Sequence, residues 1–165
     1  MSRIKRTFLA ASLALATATA GILVNTSPAS AAPVYTAIVN RVSGMCLDVP
    51  GGTTENKKAV QQYHCNGGAN QQWEYIPGPY AGYGQLRNIA SQKCLDVRDE
   101  SPSPGAVIQQ YTCISGTNQQ WTFTSTGNLQ VLHSGGCARA VSLAYKTGIE
   151  QGVCTWGYVF WDAYL

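Results

Sequence analysis

The sequence predicts an all-β fold of three repeats arranged about a pseudo-threefold axis, and three observations carry that prediction. A shift of 48 residues lays Cys46-Leu47-Asp48-Val49 on Cys94-Leu95-Asp96-Val97 and Asn70-Gln71-Gln72-Trp73 on Asn118-Gln119-Gln120-Trp121, without a gap. Short stretches rich in β-branched and aromatic residues alternate with turn-forming clusters, and no window carries a helical stripe. Six cysteines fall into the repeating frame, two to a unit.

The chain opens on a segment expected to be removed before folding. Arg3, Lys5 and Arg6 precede an apolar run from Phe8 to Val24, and Ala29-Ser30-Ala31 supplies an A-x-A cleavage signal before Ala32. Residues 1–31 are therefore read as a signal peptide and the mature protein as secreted and extracellular. As a membrane span the run is at the short limit and is broken by Ser12, Thr17, Thr19 and Gly21, so no membrane insertion is expected. Residues 32–165 then fit one domain, expected to be a monomer.

The leader also accounts for the net charge. The formal charge of +3 belongs to Arg3, Lys5 and Arg6, because the remainder holds eight basic and eight acidic residues. Nucleic-acid affinity comes largely from neutralising phosphates, so a neutral mature chain argues against a nucleic-acid partner. Lys57-Lys58 is the only basic pair and reads as a solvated loop. An even set of cysteines in an oxidising compartment predicts three disulfides, for which about 15 pairings exist. No C-x-x-C or H-x-x-x-H spacing accompanies them, so neither a metal nor a cofactor is expected.

The units run over about 34–80, 81–125 and 126–165. In the first, Val34 to Val39 reads as a strand, Pro50-Gly51-Gly52 and Asn66-Gly67-Gly68 as turns, and Pro77-Gly78-Pro79 as the junction to the second. In the second, Leu86 to Ile89, Val107 to Tyr111 and Trp121 to Thr124 are strand-like; Ile38, Asn40 and Ser43 reappear as Leu86, Asn88 and Ser91. The third is eroded and is found from its skeleton. Leu129 and Ser134 precede Cys137 by the distances that separate Ile38 and Ser43 from Cys46, and Cys154 and Trp161 complete the unit, slightly shortened. One such unit cannot bury its own apolar face, whereas three can share a core. The repeat makes the pairing Cys46–Cys65, Cys94–Cys113 and Cys137–Cys154, each closing a short loop and contributing about 3 kcal/mol in the chain-entropy model.

A Gly- or Ser-x-x-Cys-Leu-Asp-Val start, a Val/Ile-Gln-x-aromatic-x-Cys middle and a Gln-x-Trp end, repeated, resemble the ricin B-type lectin domain, which includes xylanase-associated carbohydrate-binding modules. The likeness covers about Val34 to Leu165. It implies a β-trefoil of twelve strands, four per repeat, with a shallow sugar pocket possible in each repeat and with Trp73, Trp121 and Trp161 in the shared core. It also implies sugar-binding residues: Asp48, Gln61, Tyr63, Asn70 and Gln71 in the first repeat, and Asp96, Gln109, Tyr111, Asn118 and Gln119 in the second.

Chemistry supports those residue types. A pyranose presents hydroxyls that need hydrogen bonds and a C–H patch that does not. A carboxylate accepts from hydroxyls at about 1.5–3 kcal/mol per well-made bond. An amide both donates and accepts, and a tyrosine can lie against the C–H face with its phenol wet. Two alternatives stay open. Asp48 and Asp96 can instead cap turns, and Gln71 and Gln119 can instead tie a strand to a loop. In the third repeat Arg139 replaces the aspartate, Gly152 the tyrosine, and Tyr158-Val159-Phe160-Trp161 the amide-rich tetrad, so two competent sites and one structural repeat are expected.

An enzyme is not expected. A glycosidase needs two carboxyl groups about 5–9.5 Å apart across one bond, whereas Asp48 and Asp96 belong to different repeats and Asp99-Glu100, if extended, would point apart. His64 and His133 have no nucleophile motif beside them. The resemblance thus implies a carbohydrate partner, with galactose-, xylose- or arabinose-containing glycans all compatible. The alternative is a secreted β-trefoil that binds protein, such as a protease inhibitor, through a loop such as Pro77 to Gly84.

Overall fold

The computed structural model describes residues 35–155 and 159–164. The signal-peptide reading of residues 1–31 and the reading of Tyr158 lie outside the described residues.

The first repeat holds β1 (Tyr35–Asn40), β2 (Cys46–Asp48), β3 (Lys58–Ala59), β4 (Gln61–Tyr63) and β5 (Gln72–Pro77). The second holds β6 (Gly84–Asn88), β7 (Cys94–Val97), β8 (Ile108–Tyr111) and β9 (Trp121–Phe123). The third holds β10 (Leu129–Val131), β11 (Cys137–Ala140), β12 (Thr147–Gly152) and β13 (Trp161–Tyr164). Every pairing is antiparallel. Six strands close a barrel: β1 pairs with β5, β5 with β6, β6 with β9, β9 with β10, an Asn128–Phe160 bridge links the third repeat's two ends, and β13 pairs with β1. Three hairpins, β2–β4, β7–β8 and β11–β12, cap one end. This is a β-trefoil.

Among the described residues, thirteen strand segments stand where twelve are expected. The extra one arises because the first repeat's third strand is interrupted at Val60. Its N–H donates to the Ile108 carbonyl (3.1 Å) and its own carbonyl accepts from the Ile149 N–H (3.2 Å), so this residue bonds to the other two repeats. Val60, Ile108 and Ile149 occupy equivalent places and are all buried.

The core is layered by the same symmetry. Ile38, Leu86 and Leu129 form one set, Leu47, Leu95 and Ala138 another, and Trp73, Trp121 and Trp161 a third, all in one cluster. A buried indole N–H needs an acceptor. Each ring finds one on its own repeat: Trp73 Nε1 donates to the Leu47 carbonyl (3.1 Å), Trp121 to Leu95 (2.9 Å) and Trp161 to Ala138 (2.9 Å). The disulfides are Cys46–Cys65, Cys94–Cys113 and Cys137–Cys154, as the repeat predicts.

Three buried glutamines bind the repeats to one another. Gln62 Nε2 donates to the carbonyls of Ser142 and Ala144, Gln110 to those of Thr53 and Glu55, and Gln151 to those of Ser101 and Ser103, at 2.7–3.2 Å. Main-chain bonds follow the same circuit, from Lys57 N–H to the Gln110 carbonyl, Gly105 to Gln151 and Lys146 to Gln62. Each repeat thereby holds a loop of the preceding one.

Candidate functional site

Strand alternation sorts the capping hairpins into an inner and an outer face. In the first, Leu47 pairs with Gln62 and both turn inward, while Asp48 stands directly opposite Gln61 and Tyr63 lies two residues further along the same face. The 3-10 turn Ala69–Gln71 then carries Asn70 to the carboxylate. Gly68 leaves room for that side chain, because a Cβ at this position would stand 2.6 Å from Asn70 Oδ1 and push it aside.

The Asp48 carboxylate, 2% exposed, gathers three amides. Gln61 Nε2 donates to Oδ1 at 2.7 Å, and Asn70 Nδ2 and Gln71 Nε2 donate to Oδ2 at 2.8 and 3.0 Å. The second repeat copies this arrangement on Asp96, with Gln109 at 2.8 Å, Asn118 at 2.8 Å and Gln119 at 3.0 Å. A carboxylate has about four acceptor positions, so three amides leave roughly one, on Oδ1. Burial pushes the Asp96 carboxyl above its ordinary range; the amide donors oppose that shift, and nearby Asp99 adds to it.

Gln71 and Gln119 have their polar atoms engaged inside the protein. Gln71 also donates to the His64 carbonyl and accepts from the Asn66 N–H; Gln119 does the same with Thr112 and Ile114. These contacts tie turn to strand and aim the carboxylate.

Two grooves result. Asp48, Gln61, Tyr63, Asn70, Pro50 and Gly51 line the first, and Asp96, Gln109, Tyr111, Asn118, Asp99 and Glu100 line the second. The second groove corrects one expectation. Residues 98–100 form a 3-10 turn in which Asp99 and Glu100 are left-handed (φ 57° and 51°), so these neighbours do not point apart as in an extended strand but line one groove. Arg98 reaches back over the strand, donating from Nε to Gln109 Oε1 at 2.6 Å.

Each groove also receives a residue of the preceding repeat. Lys146 lines the first and Lys57 the second, so Lys57 is not merely part of a solvated loop. Beside the first groove Tyr145 stacks on His64 at 5.7 Å between centroids and meets Tyr63 edge-on at 6.1 Å. No local motif announces Tyr145 or Lys146. The signal is the circuit of main-chain bonds, which brings Lys146 to Gln62.

The third repeat keeps the ladder and loses the chemistry. Arg139 stands opposite Glu150 and forms an ion pair with it. Gly152 occupies the tyrosine position, and a Cβ there would stand 2.4 Å from Arg139 Cδ, so the arginine stem fills the space of the ring. Among the described residues, the depression beside Cys154, lined by Gln130, Ser134, Gln151 and Val153 among others, contains no carboxylate and no aromatic ring. The Pro77 to Gly84 segment joins β5 to β6 as a hairpin whose turn is closed by bonds between Gly78 and Tyr83 and between Tyr83 and Tyr80.

The model of the ricin-type β-trefoil lectin domain matches residues 34–156, and the chain belongs to that family. The designed threefold-symmetric protein ThreeFoil is 34% identical, over 78% of this chain and 96% of that one, with a TM-score of 0.75. An exo-β-1,3-galactanase from Clostridium thermocellum is 33% identical over 79% of this chain, with a TM-score of 0.74, and the match spans only 30% of the galactanase. A non-toxic homologue of type II ribosome-inactivating proteins from bitter gourd, Momordica charantia, solved with α-methyl-D-galactoside, shares the fold at 22% identity and a TM-score of 0.67; the match covers 79% of this chain and 47% of that one. The ricin-type fold supports a carbohydrate-binding role.

Proposed function

We propose that this is a secreted lectin with two sugar-binding grooves and one structural repeat, acting on polysaccharides or arrayed glycans through avidity. The observation that carries the reading is the repeated constellation: an aspartate aimed by three amides beside a tyrosine, present twice and replaced in the third repeat by the Arg139–Glu150 ion pair. The C–H face of a pyranose lies on Tyr63 or Tyr111, and a ring hydroxyl donates to the remaining acceptor position of Asp48 or Asp96. Asn70 or Asn118 completes the polar set with Gln61 or Gln109, while Gln71 and Gln119 position the carboxylate. Galactose-, xylose- and arabinose-containing glycans all offer this pattern, and the galactanase and the galactoside-bound bitter gourd protein make galactose the first to try.

A shallow groove holds one sugar weakly, so two on a rigid body favour polymers through effective concentration. Three disulfides suit an oxidising, extracellular destination. Calorimetric titration with methyl α-D-galactoside, xylose and arabinose tests the reading. Two equivalents of at least one sugar are expected, and a count of one or three sinks it.

A further inference from the structure

The two grooves differ in charge, and the difference comes from residues outside the shared constellation. Over the first groove the 3-10 turn contributes Pro50 and Gly51; over the second it contributes Asp99 and Glu100. Lys146 therefore shares its groove with one carboxylate, Asp48, whereas the second groove holds three, Asp96, Asp99 and Glu100, which outnumber Lys57 and the adjacent Arg98 that bonds Gln109 Oε1 and the Lys57 carbonyl. The ammonium of Lys146 lies 6.0 Å from the centre of the Tyr63 ring and 5.5 Å from that of Tyr145, beside the surface on which a sugar would rest. The ion pairs among the described residues are Arg41–Asp162, Arg87–Glu74 and Arg139–Glu150, and none involves Lys146.

The backbone beneath this lysine is costly. Lys146 is left-handed at φ 61°, as is Lys57 at 62°, and the equivalent residue of the second repeat is Gly105 at φ 87°. A side chain there is disfavoured relative to glycine. Glycine satisfies the loop, so the lysine's contribution lies in its head group. Tyr145, more than half exposed and stacked on His64, continues the aromatic surface past Tyr63.

We infer that the first groove selects sugars carrying an anionic group, a uronate carboxylate or a sulfate ester, through Lys146, and that the second groove, rimmed by Asp99 and Glu100, disfavours them. This rests on the two-groove reading above. Asp96→Ala isolates the first groove and Asp48→Ala the second. Each variant would be titrated with methyl α-D-galactoside, methyl α-D-galacturonoside and galactose 6-sulfate.

In Asp96→Ala at low salt at least one anionic sugar should bind roughly fivefold more tightly than the neutral one, the advantage of one exposed ion pair. The advantage should vanish near 0.5 M salt, where screening is short-ranged. Adding Lys146→Gln, or Lys146→Gly to match Gly105, should bring the anionic-to-neutral ratio to about one or below. In Asp48→Ala both anions should bind less tightly than the neutral sugar. Which anion gains in Asp96→Ala separates a uronate from a sulfate as the natural feature. Equal affinities in Asp96→Ala, or a preference that survives loss of Lys146, overturns the inference and leaves the two-groove reading intact. If none of the three sugars binds Asp96→Ala, the inference is overturned, and the titration with xylose and arabinose decides the two-groove reading separately.

Discussion

Arg139 faces Glu150 across β11 and β12 at the ladder position that holds Asp48 against Gln61 and Asp96 against Gln109. One register thus carries two chemistries: an aspartate and an amide that leave an acceptor open, and an ion pair that satisfies itself. Arg139→Ala should leave sugar stoichiometry at two. Stability should fall by no more than about 1 kcal/mol, because the pair is partly exposed and screened. Urea unfolding and calorimetry check both halves.

Asp48→Ala and Asp96→Ala should each remove one equivalent of bound monosaccharide and sharply reduce retention on a polysaccharide column, and the double variant should bind nothing. Each deletion also leaves three amide donors without their acceptor. A loss of about 2–3 kcal/mol in stability should accompany the loss of binding, so circular dichroism at the assay temperature must first show that the variants are folded. A folded double variant that still binds would end the two-groove reading.

Burial raises the Asp96 carboxyl, so the folded protein holds that proton more tightly than the unfolded chain does. Its contribution to stability is present below the ordinary carboxylate value of about 3.9 and is lost as pH rises through the raised value. In the proposed reading binding runs the other way, because a sugar hydroxyl would donate to the ionised form. In Asp48→Ala, which retains the second groove, galactoside affinity should fall on acidification with a midpoint above pH ~4. A midpoint at or below that value would contradict the assignment.

Trp161→Ala should destabilise by about 3–5 kcal/mol, the range for a fully buried large aromatic. Affinity per folded molecule should not change, because the ring contributes to the core and to its bond with Ala138. Differential scanning calorimetry with and without sugar separates the two effects.

Gln151→Ala should cost about 1–3 kcal/mol, since it frees the loop at Ser101 and Ser103, and should leave sugar stoichiometry at two. A chemical-denaturation midpoint unmoved from that of the parent would refute the clamping role.

The fold was legible because the core layers repeat: Leu47 and Leu95, and Trp73 and Trp121, recur at a spacing of 48 residues, and Trp161 follows Cys154 much as Trp73 follows Cys65. The ten expected site residues divide in the structure. Asp48, Gln61, Tyr63 and Asn70, with their counterparts in the second repeat, line the grooves, whereas Gln71 and Gln119 bind the protein to itself. Tyr145 and Lys146 went unread because they approach from another repeat, and adjacency around a threefold axis leaves no trace in local spacing. Gln62, Gln110 and Gln151 did leave one. This amide persists in the third repeat where the aspartate and tyrosine do not, as expected of a group the fold needs.

Because β1 lies against β13, with Ala37 opposite Tyr164, the barrel has no free edge among the described residues on which to add a unit. The copy number is therefore closed at three, unlike that of an open solenoid, which lengthens by duplication. A lineage seeking more grip cannot append a fourth blade. It must string whole domains together. The converse also holds: since β1 and β13 lie side by side, a chain cut at the 78–83 turn and joined from Tyr164 to Tyr35 can still form the same ring, with the repeats in a different order along the chain.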